Sequence, residues 1–549
     1  MKFPRACRQC RATKRRCIRD GPGEACGTCQ RKGLACEGDL RHGRACRQAL
    51  LPRRPSSDEQ VLAFAAKPAP LPTQSHPSLT SSLELPQGMA VEMVEHYLER
   101  INNGRPYSIF HPATLRAQVQ RGTMNQPLLF VICAIGAKFS ANPDVRAWES
   151  RLIAEAKRLL QLGMEDVCLE HIQACILIST MCVDLSNSSE VLYHRIASAM
   201  ADVLNLNSPA QDTSMIVAEM KRRAWWACYL AENWCVSGLR LLSPIKHAPI
   251  VIALPMDEAD FLTLPTDQSL PHRETCRTGC FAELLQLSKL FTPIQDLNRR
   301  VASGETGTSQ LDREVEVLAQ QLDEWKRQLP PDIEMSWENL DLHQERGVGG
   351  SFVLVHLTYH YYATLLYFRF LEQDRGGDQQ LTANSAIYRK YVDCCKMHAS
   401  SFSALLRRAR QRKGCEPNFP LIGHMTTVSS SVLVHTLLFG DVTELRAARQ
   451  ELQANFEALI DLVKYWPGTS TMIARLVMFQ NTCLLSTELK THRLDGWMLR
   501  YLLERSLAGH EAAASTPVIP LDLRRESDDP WLASRAKAFS EAGRYMSFM

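Results

Sequence analysis

The chain has 549 residues, 45% of them hydrophobic, and a formal net charge of +4. That is longer than one ordinary domain, with ample apolar material for a large core. Nineteen cysteines suggest a secreted disulfide scaffold, but thirteen are scattered through a long chain and six have metal-ligand spacing, so a reducing compartment is expected. Met1-Lys2-Phe3-Pro4 opens no apolar signal region, and no run of 18 apolar residues occurs. Stretches such as Leu128–Ala137 and Val432–Phe439 have the length of core segments, so neither secretion nor a membrane partner is expected.

The six spaced cysteines come first in the chain. Cys7, Cys10, Cys17, Cys26, Cys29 and Cys36 follow C-x2-C-x6-C-x8-C-x2-C-x6-C, which is one half repeated. A C-x-x-C step puts two thiolates on one turn, where both reach one soft metal at about 2.3 Å. Six thiolates are too few for two separate tetrahedral zincs, which need eight bonds. Sharing two sulfurs supplies the difference, so a compact cluster of two Zn²⁺ per chain fits the count. No His stands among the ligands, which argues against a Cys2His2 finger.

Cys10 and Cys17 bracket Arg11-Ala12-Thr13-Lys14-Arg15-Arg16. Through Ser57 there are fifteen Lys or Arg against four Asp or Glu, a balance of +11 that leaves about −7 for the rest of the chain. A basic knob on a mildly acidic body is the electrostatic footprint of a nucleic-acid binder. Arg11, Lys14, Arg15 and Arg16 are therefore the candidate DNA contacts. Lys14-Arg15-Arg16 also fits a nuclear localisation signal.

This segment resembles the fungal Zn2Cys6 binuclear-cluster transcription factors. The resemblance implies a short helix after the second cysteine whose end meets the major groove. Lys14 stands where the family's Lys contacts bases of a CGG triplet. Arg11 and Arg16 match positions that hold the DNA backbone. Cys7 and Cys26 would bridge both zincs. Two departures stand out: Thr13 replaces a second basic residue, and Glu24 stands where Pro is common.

From about Gly38 to Gln87 the composition turns to Pro52, Pro55, Pro68, Pro70, Pro72, Pro77 and Pro86 mixed with Ser, Ala and Gln, which reads as a flexible linker. No heptad series follows the cysteines, only the short patch Val61-Leu62-Ala63-Phe64, so the spacing of half-sites and the family's usual homodimer are not read from the chain. From about Met89 the pattern is helical. Val91, Val94, Tyr97, Leu98 and Ile101 share one face, as do Leu128, Ile132, Ile135 and Phe139. Alternating β-branched runs are scarce, so an all-α domain is predicted, with interior loops near 303–309 and 374–382. Gly347-Val348-Gly349-Gly350 also reads as a loop.

The helical region also resembles the family's large regulatory, or middle homology, domain. The matches are Ala134-Ile135-Gly136-Ala137, the arginine-pair segment Met220-Lys221-Arg222-Arg223-Ala224-Trp225-Trp226, Leu322-Asp323-Glu324-Trp325 with Leu329-Pro330, Tyr359-His360, His435, Asn455-Phe456 and Tyr465-Trp466-Pro467. Two readings apply to Lys221-Arg222-Arg223: a second DNA or partner patch, or a trio that is a solvated face or caps acidic neighbours while Trp225, Cys228, Trp234 and Cys235 pack inward. The second is preferred.

Catalytic signals are poor. His356 and His360 lie at i, i+4, but Leu357 stands where H-E-x-x-H needs its general base, so they are expected to be core histidines. Cys276, Cys280, Cys394 and Cys395 lack a second ligand pair. No nucleophile elbow, Walker A loop or dinucleotide fingerprint occurs. No enzyme is predicted.

The predicted organisation is mainly α: a Zn2Cys6 DNA-binding module (1–37), a disordered linker (38–87), a large all-α regulatory domain (88–510) and a C-terminal tail (511–549). Acids beside aromatics in that tail, such as Asp528, Asp529 and Trp531, are the composition of an activation segment. The expected function is a nuclear, sequence-specific transcription factor, an activator by family habit, with double-stranded DNA bearing CGG-type sites and the transcription machinery as partners. Control of a secondary-metabolite gene cluster is a family habit too. The alternative is a helical scaffold whose zinc module serves protein contacts.

Overall fold

A computed structural model describes residues 26–30, 83–102, 108–182, 187–208, 214–238, 250–266, 277–303, 308–375 and 383–488. The backbone divides into two units, 1–76 and 77–549. In the first, the described residues form one short helix, α1 (Gly27–Gln30). Residues 31–82, 304–307, 376–382 and 489–549 lie outside the described residues, and with them most of the predicted linker, parts of both predicted loops and the whole predicted C-terminal tail (511–549).

The second unit is helical, and its described residues hold no strand, only an isolated bridge between Met256 and Thr278. It opens with Leu83 and Leu85, which pack on the core, and then α2 (Gln87–Tyr97), which widens into a π turn at Leu98–Asn102. The periodic face read from the sequence is the buried one: Val94, Tyr97, Leu98 and Ile101 are all inside, and Val91 is half-buried.

Next come α3 (Pro112–Arg121) and α4 (Gln126–Ala137). The side chain of Asn125 accepts the Leu128 amide at 3.3 Å, and Pro127 sits in the first turn, where its missing N–H costs nothing. Helix α4 is apolar nearly all round and lies against α2, as an interior helix must. Gly136 makes that approach possible, because a Cβ there would fall 1.8 Å from the Met93 carbonyl oxygen. Gly136→Ala is expected to destabilise the domain by about 1–3 kcal/mol or more, since backbone rather than a movable side chain blocks the methyl. An unchanged thermal melt would refute the close packing.

The chain continues through α5 (Pro143–Arg146), α6 (Glu149–Leu162), α7 (Leu169–Cys182), α8 (Asn187–Val203) and α9 (Met215–Gly238). A short strap follows, carrying α10 (Glu258–Leu262). Then come α11 (Cys280–Ser288), α12 (Phe291–Ser303), α13 (Thr308–Arg327), α14 (Trp337–Glu345) and α15 (Gly349–Tyr367), which ends in a 3-10 turn. Gly349 and Gly350 thus open a helix, which corrects the loop expected over 347–350. Gly347, at φ +75°, makes the turn before it, and a Cβ on Gly349 would meet the Cys415 sulfur at 2.5 Å.

The last elements are α16 (Ala383–Arg410), α17 (Leu421–Phe439), α18 (Val442–Tyr465) and α19 (Ser470–Glu488). Helices α7, α15 and α17 are almost wholly buried, and α6, α12, α13 and α18 wrap them with one apolar face each. Val432–Phe439 belongs to α17, whose 19 residues are long and apolar enough by composition to cross a membrane, but 89% of the window is buried by neighbouring helices. Its hydroxyls are satisfied inside the bundle. Thr426 and Thr427 donate to carbonyls four residues back, Ser429 donates to the Ala399 carbonyl, and Asn455 joins Ser403 and Ser430 at 3.0 Å each.

Candidate functional site

Of the six predicted zinc ligands, Cys26 and Cys29 fall within the described residues. Cys7, Cys10, Cys17 and Cys36 lie outside them, as do Arg11, Lys14, Arg15 and Arg16. Cys26 precedes α1 and Cys29 sits within it, and the Gln30 amide donates to the Cys26 carbonyl at 3.0 Å. The C-x-x-C step therefore closes one turn. Both cysteines are inside, at 0% and 1% exposure. Two buried thiols on a single turn, in a segment rich in charge and poor in apolar residues, form a soft donor pair that suits Zn²⁺. Beyond this pair, no cluster of three or more metal-ligating side chains occurs among the described residues.

In the helical unit the basic trio of α9 is not a solvated face. Arg223 is fully buried, while Lys221 and Arg222 are half-buried. The Arg223 Nε donates to Glu219 Oε1 at 2.8 Å, one amino group donates to the Met256 carbonyl at 2.6 Å, and the guanidinium lies 4.2 Å over the Phe261 ring. Arg222 pairs with the other oxygen of Glu219, and Met256 N donates back to Glu219 at 3.0 Å. The strap bearing α10 is thereby clamped to α9. Buried Asp257 caps α10 and pairs with Arg346 at 2.7 Å. Buried Glu258 accepts the first amides of α11, Cys280 and Phe281. Burial pushes the Glu258 carboxyl up, against the pull of Arg223.

Arg223 therefore caps an acidic neighbour, the second form of the preferred reading, and does not stand on a solvated face. It is a structural cation, neither a DNA contact nor a solvated charge. Capping of an acidic neighbour is realised through Glu219, and Trp225, Cys228 and Trp234 pack inward as expected, while the side chain of Cys235 lies outside those described. The one local signal was Glu219 itself, four residues before Arg223 on an otherwise apolar helix face.

His356 and His360 do not form a pair. His356 is buried, its Nε2 bonded to the Ile333 carbonyl at 2.9 Å, and burial holds it down to about 4. His360 instead meets His398 of α16, with their Nδ1 atoms 3.0 Å apart. Cys395 and Cys280 are buried thiols whose ionisation burial pushes well up, as inert cysteines should be; Cys276 lies outside the described residues. The Trp325 indole donates to the Glu283 carbonyl at 3.2 Å and stacks on Tyr359, and the Trp466 indole donates to Asn418 at 2.9 Å. These matched positions are packing anchors.

Residues 94–327 match the fungal specific transcription factor domain. That range runs from α2 through the end of α13. Among curated relatives, the chain is 24% identical over 426 residues to an uncharacterized transcriptional regulatory protein of Schizosaccharomyces pombe, covering 63% of this chain and 60% of that protein. It is 22% identical over 401 residues to a Zn(2)-C6 fungal-type transcription factor of Fusarium oxysporum f. sp. lycopersici, covering 66% of this chain and 42% of that protein. The chain thus spans about half the length of these relatives. No solved structure matches. The matched domain and these relatives are regulatory proteins rather than enzymes, and together they support a fungal transcription regulator.

Proposed function

We propose that the chain is a nuclear, zinc-dependent transcription factor that reads CGG-like triplets through a two-zinc, six-cysteine module. The observation that carries the reading is the turn holding Cys26 and Cys29 together and buried, inside a row whose other half repeats the same spacing. Cys7, Cys10, Cys17, Cys26, Cys29 and Cys36 would hold the two Zn²⁺, and the bound metal supplies folding free energy to a segment with little core of its own. The module's charge, +11 through Ser57, attracts DNA phosphates without regard to sequence. Specificity is left to Lys14, which donates to guanine O6 and N7, while Arg11, Arg15 and Arg16 hold the backbone. The nucleus is the compartment such a protein works in. Activation through the tail and control of one gene cluster are the finer parts of the same reading.

Salt-titrated binding tests the division of labour. Lys14→Ala is expected to weaken binding to a CGG duplex by about 1–3 kcal/mol and to a scrambled duplex much less. Arg16→Ala is expected to weaken both alike and to lower the salt slope by about one unit. Equal losses for Lys14→Ala on both duplexes would remove it from base reading.

A further inference from the structure

Helices α13, α15 and α16 surround a cavity of about 310 Å³, within the range of roughly 300–1,000 Å³ typical of small-molecule sites. Tyr359, Tyr367 and Tyr391 wall it, and the His360–His398 pair lines it between them. Tyr359, Tyr367 and His398 are 6%, 6% and 7% exposed, so nine-tenths of each is inside. The His360–His398 contact uses only the two Nδ1 atoms, which leaves the Nε2 atoms and the Tyr359 and Tyr367 hydroxyls, all on lining residues, available to a molecule in the cavity. A few polar groups set among ring walls around an open volume are what a ligand would engage.

We propose that this cavity binds a neutral, flat aromatic molecule carrying hydroxyl or carbonyl groups. Flatness and aromaticity follow from walls made of tyrosine and imidazole rings. The polar requirement follows from the histidine pair. Burial holds His398 down to about 4 and His360 well below the ordinary range, so both rings are neutral. With one proton shared between the two Nδ1 atoms, one ring is left with a bare Nε2 and the other with an Nε2–H. The pair thus offers one acceptor and one donor, and burial keeps the Tyr359 hydroxyl protonated by pushing it up to about 12. Charge is refused twice over. The interior carries none, and the exposed rim carries Lys326 and Lys390 against Asp323 and Glu316, which gives no net field to select an ion.

The test is calorimetric titration of the full-length protein with 2-naphthol and 2,3-dihydroxynaphthalene, beside 2-naphthoate and decahydro-2-naphthol. The naphthols are expected to saturate at one per chain, with the charged and the non-aromatic analogues about tenfold weaker. Tyr359→Phe keeps the ring and removes one hydroxyl, so it is expected to weaken binding about fivefold. Cys394→Trp, at a half-buried lining position, is expected to fill the cavity and abolish binding while the melt of the unliganded protein stays close to wild type. No saturation by either naphthol up to about 1 mM, equal binding of 2-naphthoate, or binding untouched by both substitutions would each overturn the proposal. The assay contains no DNA, so its failure leaves the DNA-binding reading standing.

Discussion

Cys26→Ser is expected to strip the chain of both zincs and to reduce binding to a CGG duplex by more than 100-fold. Cys26 is wholly inside and shares its turn with Cys29. By resemblance it is also a sulfur shared between the two metals, so one substitution removes two of eight bonds. A serine hydroxyl is not a soft anion at neutral pH and cannot replace a thiolate. In a segment whose folding free energy comes from metal, about 10–16 kcal/mol for structural zinc in small modules, loss of metal is loss of the fold. A strong chelator should reproduce the effect on the wild-type protein. Cys168→Ser, at a half-buried position of the helical unit, should leave zinc content and DNA binding unchanged. Metal analysis and anisotropy on the same samples decide the matter. A Cys26→Ser protein that keeps two zincs and full affinity would sink the shared-sulfur cluster.

The helical fold was readable because local period and burial agree. Leu128, Ile132 and Ile135 recur at i, i+3/4, and the structure buries every one of them. The cysteine row is readable for a different reason, since metal spacing is a local covalent constraint, and Cys26 with Cys29 lies on one turn as C-x-x-C implies. What the sequence hid is non-local. Nothing around Lys221-Arg222-Arg223 announces that the carbonyl of Met256, 33 residues on, folds over Arg223. His360 was weighed against His356, its helical neighbour, but its partner is His398, 38 residues away on another helix. The cavity between those helices could not be inferred from either segment alone, because its walls come from three helices. The glycines near 347 misled in the other direction. Glycine marks loops on average, but Gly349 is there because Cys415 leaves no room for a side chain at the start of α15.

Arg223→Met is expected to lower the stability of the helical unit by about 3–5 kcal/mol, as breaking a buried ion pair from one side does. The guanidinium is 0% exposed and Glu219 is 1% exposed, so its removal leaves a buried carboxylate with Arg222 and the Met256 amide to face it. It also orphans the Met256 and Ser108 carbonyls, which accept from the two amino groups of Arg223 at 2.6 and 3.4 Å. Arg223→Lys should recover little, because a single ammonium cannot serve Glu219, Met256 and Ser108 at once. The pair Glu219→Gln with Arg223→Met should cost less than the two single changes added together, since the second removes the charge that the first left stranded. Thermal melts and denaturant titrations of the four proteins measure the coupling. The same set separates structure from DNA contact. A phosphate-binding arginine would lower the salt slope of DNA binding without changing the melt, whereas a clamp on the strap lowers the melt and leaves the slope alone. An Arg223→Met protein within about 0.5 kcal/mol of wild type, the usual effect of a surface change, would mean that the strap is held elsewhere.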